Sequence, residues 1–281
     1  MKIITRYRLF NRFRLVILGI LFLSMILTYL LQSGVFKLLF FFNTEAPDIA
    51  GRVEEVRSFL IHQVLTMDRW VTSAFSVLIV LLPVLACASV YLFIKEKRGM
   101  FCYRFARKQP YNTVVLSSVL VSTFICSVSF YLVYFLYCLV GFFVTEQEVA
   151  IDRPVLDFIF GAAFSQDNPF LFFVIGGFVS VFLLSFVYSL LACSLALVMR
   201  KTYQAIMIPI LYFFGMSQLF AVLSTAIHPM LIVLQPIFTL NFFAYGNAVP
   251  IWEFLVSLVP PLLISAGIII YVVNRKECDE I

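Results

Sequence analysis

The stretch "VTSAFSVLIVLLPVLACASVYLFI" (Val71–Ile94) carries no charged side chain and is long enough to cross a lipid bilayer as one helix. A hydrocarbon core of about 30 Å needs roughly 20 helical residues. Four other apolar runs have the same character, and so does a sixth that contains Pro209 and Gln218 but no charge. We therefore predict six membrane-spanning helices, at 15–36, 71–94, 114–144, 170–199, 203–227 and 251–273.

The composition excludes a water-soluble globule. Of the 281 residues, 63% are hydrophobic and only 12% are charged, and the mean hydropathy is +1.03. So few polar side chains cannot cover a soluble surface. The fold class that follows is an all-α polytopic membrane protein, in which residues 1–281 form a single transmembrane domain.

The distribution of basic residues predicts the orientation in the membrane. If the N-terminus is cytoplasmic, the cytoplasmic segments hold fifteen Lys and Arg residues and the outer segments hold five. Positive residues of short loops stay in the cytoplasm. We expect a multi-pass protein of the plasma membrane with both termini inside, and its net charge of +5 reflects topology and anionic lipid rather than nucleic acid.

The N-terminal stretch "MKIITRYRLFNRFR" (1–14) places aromatic residues toward one helical face and cations toward the other. This pattern predicts a helix lying in the cytoplasmic interface, with Arg6, Phe10 and Phe13 among its anchoring residues. The alternative is a basic tail that only sets the topology.

Two outer segments have structure-forming patterns of their own. In 43–69, apolar residues recur every three or four positions from Val53 to Met67, which predicts an amphipathic helix on the outer surface. In 224–250, three prolines, one glycine and two asparagines interrupt an apolar sequence, so its backbone cannot form one lipid-facing helix. We expect two short helices that dip into the outer half of the bundle.

Residues suited to chemistry are missing from the predicted spans. Their middles lack Asp, Glu, Lys, Arg and His, and no GxxxxGK[ST] phosphate loop or GxSxG nucleophile motif occurs. The six cysteines form no CxxC pair, and none is expected outside, so we predict no disulfide. We therefore predict that the chain is not an enzyme and has no catalytic residue, metal site or bound cofactor of its own.

Glycines and prolines within the spans are interpreted as packing and kink positions. Gly176 and Gly177 fall in the fourth span, and the prolines are Pro83, Pro209, Pro260 and Pro261. Small residues allow close approach of helices, and proline interrupts the helical hydrogen bonds. The alternative interpretation is that they are hinges for a gating motion.

The segment "EKRGMFCYRFARKQP" (Glu96–Pro110) joins the second and third spans and concentrates basic side chains among aromatic ones. Phe101 and Phe105 share a helical face, beside cations at Arg104, Arg107 and Lys108. Pro110 disfavours a continued helix and favours a turn into the third span. Such an amphipathic helix can dock into a groove on a partner; the alternative is a positively charged anchor with aromatic residues by chance.

This segment resembles the loop between the second and third membrane helices of type-2 ABC exporter permeases. In that family a Glu, a following Gly and a later Pro flank the coupling helix that contacts the ATPase subunit, and Glu96, Gly99 and Pro110 stand at the matching places. The interfacial helix, the six spans, the cytoplasmic termini and the broken outer segment agree with it. The loop interior is more basic and aromatic than the family's commoner Leu- and Ser-rich pattern. The Glu-Ala-Ala start of importer permeases is not found, which favours export.

The resemblance implies the membrane subunit of a bacterial ATP-driven exporter. Two permeases, identical or paralogous, would work with two ABC ATPase subunits that bind ATP and Mg. The ATPase-coupling residues would be Glu96, Gly99, Phe101, Arg104, Phe105, Arg107, Lys108 and Pro110. A Phe content of 33 residues favours an apolar or amphipathic cargo such as a peptide antibiotic, drug or lipid.

Four polar residues are candidates for cargo contact, namely Ser217, Gln218, Thr225 and Asn241. Such residues also hydrogen-bond between helices, which is the alternative interpretation. At the level of the whole chain, the alternative function is a non-transporting membrane scaffold or sensor subunit that recognises a ligand through its outer loops.

Overall fold

The computed structural model describes residues 11–42, 52–95, 97, 110–147, 156–161, 164–243 and 250–275. These parts of the chain contain helices and turns but no strand, and six helices are long and apolar enough to cross a membrane. We number them spans 1 to 6: Arg12–Gln32, Met67–Lys95, Tyr111–Val144, Pro169–Val198, Thr202–Ala226 and Ile251–Asn274. The chain is an all-α, multi-pass membrane protein.

Local signals set the beginning of the first spans earlier than hydropathy predicts. Span 1 begins at Arg12 because the Asn11 side chain accepts a hydrogen bond from the Phe13 amide, 3.0 Å away. Phe13, which we assigned to a separate interfacial helix over 1–14, therefore belongs to the first turn of span 1; residues 1–10 lie outside the described residues. Span 2 begins after Thr66, which caps it in the same way.

The spans run in alternating directions. Phe13 of span 1 contacts Tyr91 of span 2, with ring centroids 5.6 Å apart. At the opposite end of span 1, Gln32 accepts a hydrogen bond of 2.9 Å from Ser76 of span 2. Spans 1, 3 and 5 therefore begin where spans 2, 4 and 6 end. We call this the basic end, because it carries Arg12, Lys95, Lys97, Arg200 and Lys201, and the opposite one the far end.

Span 4 forms the centre of the bundle. It contacts spans 2, 3, 5 and 6, and nearly all residues of its helix Leu184–Val198 are buried. Span 1 packs on spans 2 and 3, while span 5 is the least buried of the six. The apolar side chains exposed along spans 1 and 5 face the region where lipid would lie.

The helix of span 4 is interrupted by a π-helical segment. It consists of the α-helix Pro169–Gly177, the π segment Phe178–Leu183 and the α-helix Leu184–Val198. Gly176 and Gly177 lie directly before this segment, where a Cβ would be 2.4 Å from the Phe243 ring and 1.9 Å from the Tyr134 ring. The interpretation of both glycines as close-packing positions is confirmed.

Short helices connect the spans at the far end. Val35–Phe40 and Val53–Val64 lie between spans 1 and 2, and the second falls within the predicted amphipathic segment 43–69. Asp157–Phe160 and Phe164–Asp167 lie between spans 3 and 4. Two 3-10 helices, Pro229–Leu234 and Pro236–Phe243, occupy the proline-rich segment between spans 5 and 6.

Span 6 is divided near its far end. It consists of Ile251–Val256 and Val259–Arg275, separated by a turn at Ser257 and Leu258. Pro260 and Pro261 have no N–H groups with which to bond the carbonyls one turn earlier. The break therefore bears out their interpretation as kink positions.

Candidate functional site

The structure describes the two ends of the candidate coupling loop. Pro110 is the residue before span 3, with φ −64° and ψ 135°, so the predicted turn into span 3 is found there. The helix begins at Tyr111, three residues before the start predicted from hydropathy. The other candidate coupling residues lie outside the described residues: Glu96, Gly99, Phe101, Arg104, Phe105, Arg107 and Lys108. Arg6 and Phe10 of the predicted interfacial helix also lie outside them.

Lys97, at the start of this loop, contacts the end of span 4. Its Nζ donates hydrogen bonds to the carbonyl oxygens of Ala196, 3.4 Å away, and Leu197, 3.2 Å away. The last four carbonyls of a helix lack partners within the helix, and a cation there also interacts favourably with the helix dipole. Lys97 thus attaches the loop to the central span, a role that sequence reasoning missed because it counted Lys97 only as a topological charge.

Three buried polar residues, Arg14, Ser89 and Cys126, lie toward the basic end of the bundle. The Ser89 hydroxyl of span 2 and the Cys126 thiol of span 3 are 2.8 Å apart. Arg14 of span 1 is 4% exposed and lies within electrostatic range of Cys126. Sequence reasoning placed Arg14 at the end of an interfacial helix over 1–14, whereas the structure buries it in the first turn of span 1, where a charge is tolerated only with polar surroundings.

The far half of the bundle is filled by aromatic rings, which we call the far-half aromatic cluster: Phe75, Tyr134, Phe172, Phe173, Phe238, Phe242, Phe243 and Phe254. Phe243, from the second 3-10 helix, is central to it. Its ring centroid lies 4.8 Å from that of Phe75 in span 2 and 5.2 Å from that of Phe173 in span 4. The rings therefore close the interior between these elements.

Side-chain hydrogen bonds hold the second 3-10 helix against its neighbours. The Ser217 hydroxyl of span 5 accepts a hydrogen bond from the Ile237 amide at 3.3 Å and donates one to the Phe213 carbonyl at 2.7 Å. The Thr239 hydroxyl donates to the Phe254 carbonyl of span 6 at 2.8 Å. The cluster is thus anchored to the far halves of both spans.

The four candidate cargo-contact residues do not come together in one place. Ser217 is buried and bonded to the 3-10 helix, whereas Gln218 and Thr225 lie on the exposed face of span 5. The Thr225 hydroxyl donates to the Val222 carbonyl of its own helix at 2.8 Å. Asn241 is half-buried in the second 3-10 helix. Cargo contact by these residues stays a prediction.

The helix Val53–Val64 is fixed to the far end of span 3. The Met67 amide donates to the Glu146 carbonyl at 2.9 Å, and the Glu146 amide donates to the Leu65 carbonyl at 2.8 Å. The Glu146 carboxylate also pairs with Nδ1 of His62. Backbone and side chain of one residue therefore hold this surface helix in place.

No group of three or more His, Cys, Asp or Glu side chains among the described residues could hold a metal ion. Cys87, Cys126, Cys138 and Cys193 are buried free thiols. In the described part of the chain, the helices pack through apolar side chains, and the polar contacts between them are isolated from one another.

No protein-family model, curated protein or solved structure matches this chain. The structure alone establishes the six helices and the multi-pass membrane architecture. Membership of the type-2 ABC permeases stays a prediction from the loop between spans 2 and 3.

Proposed function

We propose that this chain is the membrane-spanning subunit of a bacterial ABC exporter, which moves an apolar or amphipathic cargo and is powered by a separate ATPase. The observation that carries the proposal is the attachment of Lys97 to the Ala196 and Leu197 carbonyls. A partner that pushes on the loop would act, through this contact, on the span with the most neighbours in the bundle. This is the connection that a coupling loop requires.

In this proposal the basic end faces the cytoplasm. The cations at that end and the acidic residues at the far end, among them Glu54, Glu55, Asp68 and Glu146, fit the positive-inside rule. The loop that follows Lys97 would then lie on the side where ATP is available. Both chain termini would lie on the same side.

The mechanism divides span 4 into a moving part and a fixed part. Closure of two ATPase subunits on ATP and Mg would displace the loop helix, with Phe101 and Phe105 seated in the ATPase groove. Lys97 would pass this displacement to Leu184–Val198, while the far-half aromatic cluster holds Pro169–Gly177. The π segment between them departs from α-helical hydrogen bonding, as such segments often do at functional sites, and in this proposal it absorbs the difference.

The cargo would pass between two permeases, the second being a copy of this chain or a paralogue. The exposed face of span 5 carries Gln218 and Thr225 among apolar side chains. An amide at membrane depth favours contact with a hydrogen-bonding group rather than with lipid. The cargo class that suits this face is an apolar molecule with a few polar groups, such as a peptide antibiotic, a drug or a lipid.

The test is co-purification with a candidate ABC ATPase taken from the gene neighbourhood of this chain. The doubly substituted chain Phe101→Asp, Phe105→Asp should lose the ATPase while remaining folded, and Phe59→Asp, on the exposed surface of helix Val53–Val64, is the matched control. Lys97→Met should keep the ATPase bound but lose cargo-stimulated ATP hydrolysis. A wild-type chain that folds stably yet binds no ATPase would contradict the exporter proposal.

One observation favours the alternative of a membrane scaffold or sensor. Helix Val53–Val64 is joined to the far end of span 3 through Glu146 and presents Phe59, which is 61% exposed. A fixed surface helix with an exposed aromatic side chain suits recognition of an outside ligand or protein. Failure of the ATPase test, together with a Phe59-dependent partner, would support this second function.

A further inference from the structure

Two tyrosines face each other where spans 4 and 5 meet. Tyr188 of span 4 is fully buried and Tyr212 of span 5 is half-buried. Their ring centroids are 6.5 Å apart, with the ring planes inclined by 45°. Phe213, the neighbour of Tyr212, packs edge-on against Tyr188 at 5.2 Å.

Neither hydroxyl has a hydrogen-bond partner among the described residues. Other tyrosines of the bundle behave differently: the hydroxyls of Tyr131, Tyr134 and Tyr137 each donate to a backbone carbonyl of a neighbouring helix. A buried hydroxyl without a partner is unfavourable, and phenylalanine would fill the same space without this penalty. The Tyr188 hydroxyl is therefore not explained by the packing seen here.

Both helices depart from regular α-helical hydrogen bonding near these tyrosines. On span 4, the π segment ends at Leu183, shortly before Tyr188. On span 5, Pro209 lies one turn before Tyr212 and removes the hydrogen bond to the Ala205 carbonyl. Span 5 is also the least buried of the six spans, so more of its surface than of any other span lies outside the bundle. The two helices can thus change their relative position at this level.

We propose that spans 4 and 5 have a second packing arrangement, in which the Tyr188 and Tyr212 hydroxyls hydrogen-bond to each other. Span 5 bends at Pro209 and the helix Leu184–Val198 turns below the π segment, so that the two phenols approach. The hydrogen bond between the two tyrosines compensates for the packing contacts that are lost when the helices move. The existence of the second arrangement does not depend on the proposed function. Its control by the loop does rest on that function, because the loop would act on span 4 through Lys97.

The test uses fluorine NMR of the full chain in lipid nanodiscs, with 3-fluorotyrosine at position 212 alone. The expected spectrum has two signals, or one averaged signal whose position changes with temperature. In Tyr188→Phe the hydrogen-bonded signal, or the temperature dependence, should disappear. Tyr131→Phe is the matched control, since its hydroxyl bonds Val174 elsewhere in the bundle, and it should leave the Tyr212 spectrum unchanged.

Two results would overturn the proposal. One is a single Tyr212 signal with the same temperature behaviour in wild type and Tyr188→Phe. The other is persistence of both signals in Tyr188→Phe, which would show that Tyr188 is not the partner. Lys97→Met separates this switch from the exporter proposal: if Tyr188→Phe acts as expected but Lys97→Met leaves the signal ratio unchanged, the switch exists and its connection to the loop is wrong.

Discussion

Trp70 and Tyr137 exchange hydrogen bonds between spans 2 and 3. The Trp70 indole N–H donates to the Tyr137 carbonyl at 3.0 Å, and the Tyr137 hydroxyl donates to the Trp70 carbonyl at 2.7 Å. Their rings stack with centroids 4.8 Å apart. Each residue thus supplies a side-chain donor and a backbone acceptor, and the pair fixes how far one helix can slide along the other.

Loss of one of these bonds should weaken the bundle measurably. Tyr137→Phe leaves the Trp70 carbonyl without this donor, and we expect the free energy of unfolding to fall by about 1 kcal/mol. Unfolding by a denaturing detergent, followed by circular dichroism, measures the change. Tyr203→Phe, whose side chain is 58% exposed, is the control. An equal loss in both variants would contradict a specific role for the pair.

The span glycines that lie under aromatic rings should not tolerate alanine. A Cβ at Gly141 would lie 2.5 Å from the Trp70 ring, and one at Gly177 would lie 1.9 Å from the Tyr134 ring. We expect Gly141→Ala and Gly177→Ala each to lower stability by about 1–3 kcal/mol through overpacking. The control is Gly215→Ala, where nothing lies within 4 Å; it should be neutral or slightly stabilising.

The ion pair between His62 and Glu146 should contribute little to global stability. Its side chains are 66% and 43% exposed, and exposed pairs are weak. His62→Ala should therefore change the unfolding free energy by less than about 1 kcal/mol, while hydrogen exchange over 53–64 becomes faster. Glu146→Gln keeps the backbone bonds to Leu65 and Met67 and should show the same pattern. A large global loss would mean that the pair has a further role.

The four buried thiols should resist alkylation. Cys87, Cys126, Cys138 and Cys193 are enclosed by the bundle, so N-ethylmaleimide should modify them only after unfolding in dodecyl sulfate. Mass spectrometry of peptides from the labelled protein tests each position separately. Labelling of Cys126 in the native state would show that water reaches the polar group around Ser89.

The spans could be predicted from the sequence because the bilayer imposes a long apolar run on each of them. Their ends were predicted less well: hydropathy placed the start of span 3 at residue 114, whereas the helix begins at Tyr111, directly after Pro110. Span 1 ends at Gln32 rather than residue 36 because Gly34 adopts a φ of 81°. Hydropathy is averaged over many residues and does not detect a single left-handed glycine.

The polar contacts of the candidate site could not be predicted in the same way. Lys97 and Arg14 carry charges at span ends, and the positive-inside rule explains such charges without any partner. The partners of Lys97 are backbone carbonyls about a hundred residues away, which leave no trace in side-chain patterns. The π segment likewise has no sequence signal beyond the two glycines before it.

The position of Arg14 bears on how the protein is assembled during synthesis. Span 1 is made first and reaches the bilayer before the helices that enclose Arg14 exist. We expect its guanidinium to stay at the aqueous surface, among lipid headgroups, until the parts of the chain that bury it have been made. Enclosure of Arg14 is thus a late event of biogenesis, and span 1 is a helix that inserts early and docks afterwards.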